Sequence, residues 1–372
     1  MRARVSNAAL IALLALFEIA FHGCESQNGT VSLTGHAGAG DAAGTTGAAG
    51  TTGVAGTTGV AGTGAAGISA GDTSAIQIVP TPGCGQPAAQ DPGVFARGTI
   101  QTMGVKAPDC ADSQCGAWSY TREYFLRLPT GYDNSKAYPL IFEGPGCGGK
   151  GTDVYSLTAL ADSVIRVGLT PSADAQAFHA VSPGQFCFDD AEGDDSVDWP
   201  FYENLYDKLA AELCFDRNRV FAAGNSSGAR MANELGCKYA GDAMRPIRGI
   251  MASGAGLPVD HKAWPTCTSK AMAGLWVSNT DDGYTPFVEI PTAVSRAMSV
   301  DGCPSGTSYD SARFEPFPLS NGDSMSCKRV VGCSALSPLV VCPVVGSSFQ
   351  AGYTRIVNPG WPAFLNLFAA TP

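Results

Sequence analysis

The chain has 372 residues and a net charge of −10, with its acidic and basic residues dispersed along the sequence. Nucleic-acid binding would require basic clusters, and none occurs, so we expect no nucleic-acid partner. The length suits one large domain or two small ones.

The N-terminus has the features of an export signal over residues 1–24. Arg2 and Arg4 give it a basic start, and residues 8–17 are apolar but too few to span a membrane. Cys24 follows Gly23 in a pattern similar to the lipidation site of bacterial lipoproteins. An ordinary secretory signal cleaved nearby is the alternative. We predict an exported, cell-surface or extracellular protein whose only membrane link is a lipid on Cys24.

Residues 25–80 are predicted to form a linker. Gly-Thr-Thr-Gly recurs from Gly44, Gly50 and Gly56, and the stretch has almost no charge and no aromatic residue. It buries too little apolar surface to offset the entropy lost on folding, so we expect a disordered tether. A repeat structure such as a β-solenoid is the alternative, although residues this small would build a poor core.

The cysteine content supports export. Twelve of the 13 cysteines follow Cys24, an even number that can pair fully in an oxidising compartment. Cys110 with Cys115, and Cys327 with Cys333, are close enough in sequence for local disulfide loops. There is no C-x-x-C motif and there are only four histidines, so the sequence predicts no metal site and no cofactor.

From residue 124 onward, apolar strand-like segments alternate with helical ones. This alternation indicates the α/β class, with a mostly parallel sheet and helices on both faces. The predicted strands are 124–128, 140–142, 177–181, 220–223, 249–252 and 275–278. The predicted helices are 157–167, 201–213, 229–239 and 292–300, with a short final helix from Pro362.

A glycine-rich stretch, residues 144–151 (GPGCGGKG), directly follows the second predicted strand. The N–H groups of such a loop can converge on one point, which in a hydrolase holds the oxyanion of a tetrahedral intermediate. Gly146 and Cys147 are therefore candidate oxyanion residues. A phosphate-binding loop does not fit, because Lys150 is followed by Gly151. A tight turn held by a disulfide at Cys147 is the structural alternative.

The most informative stretch is residues 224–228 (GNSSG), which fits G-x-S-x-G between a predicted strand and a predicted helix. In this context the serine occupies a sharp, strained turn that exposes its Oγ beside the positive end of a helix. We predict Ser226 as a nucleophile and the amide of Ser227 as an oxyanion donor. A purely structural glycine turn is the alternative. A second match, residues 67–71 (GISAG), has no strand before it, and we interpret it as accidental.

An acidic loop follows the predicted strand 275–278. Asp282 there would lie at the same sheet edge as Ser226, where a carboxylate can orient a histidine and stabilise its positive charge. The order Ser then Asp along the chain is that of α/β-hydrolases. A simple Asp-Asp-Gly turn is the alternative.

Together these elements resemble the α/β-hydrolase esterases of the polyhydroxybutyrate depolymerase and feruloyl esterase group. The resemblance covers the chain from about Cys115 to its end. It implies one disulfide-stabilised α/β-hydrolase domain over residues 84–372, which cleaves polyhydroxyalkanoate, feruloyl or short acyl esters through an acyl-enzyme. It rests on RLP at 127–129, YPLIF at 138–142, the loop at 146–149, CFDRNRVF at 214–221, the acidic loop ending at 286, and the stretch 330–343.

The chain departs from this family at the general base. The family carries its catalytic His near the C-terminus in a Gly-x-Gly-His context, and Phe349 occupies that place in residues 346–349 (GSSF). No His follows His261 in the sequence. An apolar ring cannot accept the proton of Ser226, and loss of a triad base removes most of the rate. His261 is the alternative base, although a lone loop His is more often a surface residue.

The sequence therefore leaves two functions open. The first is a secreted, lipid-anchored serine esterase. The second is a catalytically inactive protein of the same fold that binds a polysaccharide or polyester through exposed aromatic residues such as Trp199, Tyr284 and Trp361. Core packing is the alternative role for these aromatics. A purely structural surface protein would account for the linker but not for the serine turn.

Overall fold

A ten-stranded sheet forms the centre of the described structure. All described residues belong to one unit of the chain, Gly67–Pro372. The computed structural model describes residues 76–104, 118–154, 160, 162–171, 187–188, 198–256, 270–282, 287–304, 306–319, 327–345 and 351–368.

The strands follow the spatial order β1-β2-β4-β3-β5-β6-β7-β10-β9-β8. The six strands from β4 to β10 pair in parallel, whereas both ends of the sheet pair antiparallel. The strands are β1 (Phe95–Gly104), β2 (Trp118–Arg127), β3 (Tyr138–Gly144), β4 (Ile165–Leu169), β5 (Phe215–Asn225), β6 (Gly249–Ser253), β7 (Ala273–Asn279), β8 (Phe314–Pro316), β9 (Lys328–Val330) and β10 (Leu339–Val344).

Helices cover both faces of this sheet. Successive strand residues point to opposite faces, so Leu140 and Phe142 of β3 lie in one buried cluster and Ile141 lies in the other. Side chains of α1, α2 and α3 complete the first cluster, and those of α4 complete the second. This arrangement confirms the predicted α/β-hydrolase fold. The helices are α1 (Asp198–Glu212), α2 (Ser227–Tyr239), α3 (Glu289–Val300) and α4 (Ala351–Asn366).

Most predicted elements are found. The strands predicted at 140–142, 220–223, 249–252 and 275–278 lie within β3, β5, β6 and β7, and the one at 124–128 overlaps β2. The helices predicted at 201–213, 229–239 and 292–300 correspond to α1, α2 and α3. The strand predicted at 177–181 lies outside the described residues.

Two helix predictions need correction. The helix at 157–167 is wrong at its end, because Ile165–Leu169 is the buried strand β4. A continuous apolar run does not distinguish a strand buried on both faces from a helix. The final helix does not begin at Pro362 but at Ala351, and it contains both Pro359 and Pro362. Its buried aromatic side chains pack on the second cluster, and this packing outweighs the low helix propensity of proline.

The structure also settles part of the disulfide pattern. The local pairing predicted between Cys327 and Cys333 is wrong. The antiparallel register of β9 and β10 pairs residue 328 with 341, which brings Cys327 opposite Cys342. The predicted pair Cys110 and Cys115 lies outside the described residues. Described cysteines are joined as Cys84–Cys214, Cys147–Cys187, Cys303–Cys333 and Cys327–Cys342.

The end of the predicted linker packs on the domain. Ile76 contacts the second buried cluster. The N–H group of Val79 donates to Asp216 Oδ1 at 2.8 Å, and Pro80 forms a β-bridge with Asp216. The structured part of the domain therefore begins before residue 84. Within the described ranges, none of the helices combines the length and apolar character needed to cross a membrane.

Candidate active site

The predicted site residues that the structure describes collect at one edge of the sheet. Parallel strands end on the same side, and ligands of such sheets bind there. Gly146 and Cys147 follow β3, Ser226 follows β5 directly, and Asp282 comes three residues after β7. The sheet thus brings the glycine loop, the serine turn and the acidic loop to a common edge.

Ser226 is held in a strained backbone conformation. Its φ is 53° and its ψ is −118°, and no other non-glycine residue in the described ranges has a positive φ. Such a conformation costs about 1–3 kcal/mol and persists only where its surroundings enforce it. The N–H group of Ser226 donates to the carbonyl of Ser253 at the end of β6, at 2.9 Å, and α2 begins at the next residue.

The flanking glycines allow three backbone segments to meet at this turn. A Cβ atom at Gly224 would lie 2.2 Å from the carbonyl oxygen of Gly228, and one at Gly228 would lie 2.0 Å from that of Gly144. Neither position therefore accepts a side chain. The N–H group of Gly228 donates to the carbonyl of Pro145 at 3.0 Å, which holds the glycine loop against the start of α2.

Two candidate oxyanion donors flank the serine. Ser227 is the first residue of α2, so its N–H group has no acceptor within the helix and lies at the positive end of the helix dipole. On the other side, a Cβ atom at Gly146 would lie 3.5 Å from Ser226 Cβ. The N–H group of Gly149 donates to the Gly146 carbonyl at 3.1 Å, which places Cys147 in the turn between them.

Two buried polar side chains beside the serine turn were not identified from the sequence. Asn225 is 5% exposed and Ser253 is 1% exposed. The Oδ1 atom of Asn225 and the Oγ atom of Ser253 have no hydrogen-bond partner in the described structure. Buried unsatisfied polar atoms are rare and concentrate at functional sites. The position of Asn225 inside G-x-S-x-G was the available signal, whereas Ser253 had none.

An ion pair behind the serine turn was also missed. Arg230, one turn into α2, donates to Glu289 Oε1 at 3.1 Å, and Glu289 Oε2 accepts the N–H group of Gly256 at 3.2 Å. Glu289 starts α3, which follows the loop of the partly buried Asp282. The pair therefore ties together the helix after the serine, the loop after β6 and the helix after the acidic loop.

A second buried ion pair lies next to the glycine loop. Arg166 of β4 donates to Glu143 Oε2 at 2.8 Å, and Glu143 immediately precedes Gly144. Burial raises the pKa of Glu143 to about 7, although the Arg166 charge and hydrogen bond oppose this rise. Among the described residues, no group of three or more His, Cys, Asp or Glu side chains could hold a metal ion.

The prediction of exposed substrate-binding aromatics is wrong for two of the three residues. Trp199 is 3% exposed and packs edge-on against Tyr239, and Trp361 is fully buried in the second cluster. Both contribute to the core because their large apolar rings gain most from burial. Four further predicted positions lie outside the described residues, namely Tyr284, His261, Phe349 and Cys24.

Comparison with known proteins points to esterases. The chain is 32% identical over 120 residues to a probable feruloyl esterase C of Aspergillus terreus, over 32% of this chain and 42% of that protein. It is 31% identical over 186 residues to feruloyl esterase C of Emericella nidulans, over 49% of this chain and 63% of that protein. The chain thus spans about half the length of these curated relatives. No protein-family model matches it.

Among solved structures, an acetyl xylan esterase from Aspergillus awamori aligns with a TM-score of 0.46 and 11% identity, over 70% of this chain and 99% of that one. A similarity at this level supports no functional conclusion. The fold and the strained serine turn make this chain an α/β-hydrolase in architecture, and the curated sequences it resembles are feruloyl esterases.

Proposed function

We propose that this chain is an exported serine esterase that hydrolyses carboxylic esters. One observation carries the proposal: Ser226 is held at a positive φ between β5 and α2, at the sheet edge where the glycine loop and the acidic loop also end. A strained non-glycine backbone is costly, and such strain concentrates at functional sites.

The chemistry follows from the placement of these groups. Ser226 Oγ attacks the ester carbonyl while the amides of Ser227 and Cys147 stabilise the oxyanion. The base that takes the serine proton passes it to the leaving alcohol as the ester C–O bond breaks. Water then hydrolyses the acyl-enzyme by the same route. Asp282 orients the base, for which His261 is the candidate.

The curated relatives favour hydroxycinnamoyl esters as substrates. Both sequences described above are named feruloyl esterases, so a feruloyl ester is the first substrate to test. Short acyl and polyhydroxyalkanoate esters follow from the resemblance to the wider group of esterases. The substrate may be free or part of a polymer.

The disulfides support an extracellular location. Bonds such as Cys84–Cys214 and Cys303–Cys333 persist in oxidising compartments. We infer that the chain is exported and held at the cell surface through a lipid on Cys24, with the following residues as a tether.

A second function is favoured by one specific observation. The sequence contains no His after His261, and Phe349 stands where the resembling esterases carry their catalytic His. A protein that lacks this base would bind an ester-containing polysaccharide or polyester without hydrolysing it.

Steady-state hydrolysis by the full chain distinguishes the two functions. Methyl ferulate, p-nitrophenyl acetate and a hydroxybutyrate oligomer are suitable substrates. The esterase proposal predicts turnover that Ser226→Ala removes and that Ser69→Ala, the serine of the second G-x-S-x-G match, leaves unchanged. His261→Ala then tests the base. A folded wild-type chain that binds these esters but does not turn them over would support the binding function instead.

A further inference from the structure

We propose that Cys187 and Phe188 form a brace that sets the distance between the two oxyanion amides, those of Cys147 and Ser227. This inference rests on the proposed function, because it assigns a role to residues that support the oxyanion site. Cys187 and Phe188 are positioning residues, since they act through Cys147 and Ser227 and not on the substrate.

The first attachment of the brace is covalent. A disulfide joins Cys187 to Cys147 in the turn of the glycine loop. Cys147 therefore cannot move away from the serine turn without moving Cys187.

The second attachment is a buried hydrogen bond. The N–H group of Phe188 donates to Ser227 Oγ at 2.7 Å, and Ser227 is 8% exposed. Because this bond uses the side chain of Ser227, the backbone N–H of the same residue stays available for an oxyanion. The two residues that supply the proposed amides are thus fastened to adjacent residues of one segment.

The third attachment is packing. The Phe188 side chain is 4% exposed and belongs to the first buried cluster. A Cβ atom at Gly144 would lie 2.8 Å from the Phe188 ring, 2.9 Å from Gly228 Cα and 2.9 Å from Met231 Cε. The ring therefore fills the space between the end of β3 and the start of α2, and it fixes the base of the glycine loop.

A brace of this kind matters for rate more than for binding. Oxyanion donors act mainly in the transition state, so their misplacement lowers kcat and leaves KM nearly unchanged. A displacement of about 1 Å in a catalytic arrangement costs about 100-fold in rate. Loss of either attachment leaves only the Gly228–Pro145 hydrogen bond and the packing between loop and helix.

Three variants of the full chain test the brace. Cys147→Ser/Cys187→Ser removes the covalent link, Ser227→Ala removes the acceptor but keeps the amide, and Ser227→Thr keeps the hydroxyl. Cys303→Ser/Cys333→Ser is the matched control, because its disulfide closes a loop of 30 residues against 40 and so has a similar effect on chain entropy.

We expect kcat for ester hydrolysis to fall about 10- to 100-fold in the double serine variant and in Ser227→Ala, with KM changed less than about twofold. Combining the two changes should lower kcat little further, because both disable one brace. Ser227→Thr should recover most of the rate. The control variant should keep the wild-type kcat after correction for its folded fraction. Wild-type kcat in both brace variants would overturn the proposal.

Hydrogen exchange gives a second readout that does not require turnover. Amides of residues 144–149 should exchange at least about tenfold faster in the brace variants, because the loop opens locally, while the control variant should leave them unchanged. If the wild-type chain shows no esterase activity, the proposed function fails and exchange alone decides the brace. Unchanged exchange in residues 144–149 of the brace variants would overturn it.

Discussion

The two ends of strand β5 treat buried polar groups in opposite ways. At the start, the carboxylate of Asp216 is fully buried and accepts three hydrogen bonds. The N–H groups of Val79 and Asn218 donate at 2.8 and 3.0 Å. The side chain of Arg219 donates at 2.6 Å. This end fastens the entering chain to the sheet.

At its other end, β5 runs into strain and unsatisfied polar atoms. Ser226 adopts a φ of 53°, and the buried Oδ1 of Asn225 and Oγ of Ser253 find no partner within the described structure. One strand thus begins with fully satisfied polar groups and ends where local rules are broken. Satisfied buried groups serve stability, whereas strain and unsatisfied groups mark function.

The largest effect should come from Ser226→Ala. Removing the hydroxyl should lower ester hydrolysis at least about 1,000-fold, because a nucleophile acts as one unit with its base. Steady-state kinetics measures this loss. Retained turnover in a folded variant would show that the strained end does not carry the nucleophile.

Asp216→Ala should instead destabilise the fold by about 3 kcal/mol, because it leaves Arg219 without its carboxylate partner and two N–H groups without an acceptor. The rate per folded molecule should stay unchanged. Denaturant unfolding and kcat report the two quantities, and Asp310→Ala, in an exposed 3₁₀ turn, is the control for loss of one acidic charge. A fall in kcat without a loss of stability would break the contrast between the ends of β5.

Phe349→His should raise turnover, by about 100-fold, since it supplies a general base at the position where the resembling esterases carry one. The gain should appear as a new group in the pH–rate profile. Phe349→Gln is the control for loss of the ring. If the glutamine variant gains as much as the histidine variant, relief of steric crowding and not proton transfer explains the change.

Ser226→Gly should stabilise the protein by about 1 kcal/mol while it removes activity, because glycine adopts a positive φ without steric cost. Thermal unfolding against Ser226→Ala, which keeps the strain and lacks the hydroxyl, isolates the backbone effect. Equal melting temperatures for the two variants would show that the turn stores no strain.

The smallest effect concerns buried carboxylates at both edges of the sheet. Burial raises the pKa of Glu143 from 4.5 and that of Asp301 from 3.8, each to about 7. Between these values the folded protein binds more protons than the unfolded chain, so the free energy of unfolding should fall as pH rises through this range up to about 7. Urea unfolding from pH 4.5 to 7.5 measures the slope, and Asp301→Asn should reduce it. A free energy of unfolding that rises with pH would contradict the shifts.

Sequence patterns predicted the elements whose signal is local. Residues 224–228 carry their meaning in five consecutive positions between a strand and a helix, and the loop 144–151 announces itself by its glycines. Strand β4 was mistaken for part of a helix, because a short apolar run buried on both faces has no period of its own. The strained end of β5 was thus predictable, whereas its surroundings were not.

The supporting residues depend on contacts between distant parts of the chain. Phe188 and Ser227 meet across 39 positions, and Arg230 and Glu289 across 59. No local pattern specifies such pairs. The burial of Trp199 and Trp361 was equally hidden, because a tryptophan in a helix is compatible with either core packing or an exposed site.

The most direct test of the central claim is labelling of the full chain with a fluorophosphonate, followed by mass spectrometry of the adduct. Activation of Ser226 by its turn predicts one adduct on residue 226, which Ser226→Ala abolishes and Ser69→Ala does not affect. A folded, disulfide-intact chain that stays unlabelled, or that is labelled elsewhere, would contradict the assignment of Ser226 as the nucleophile.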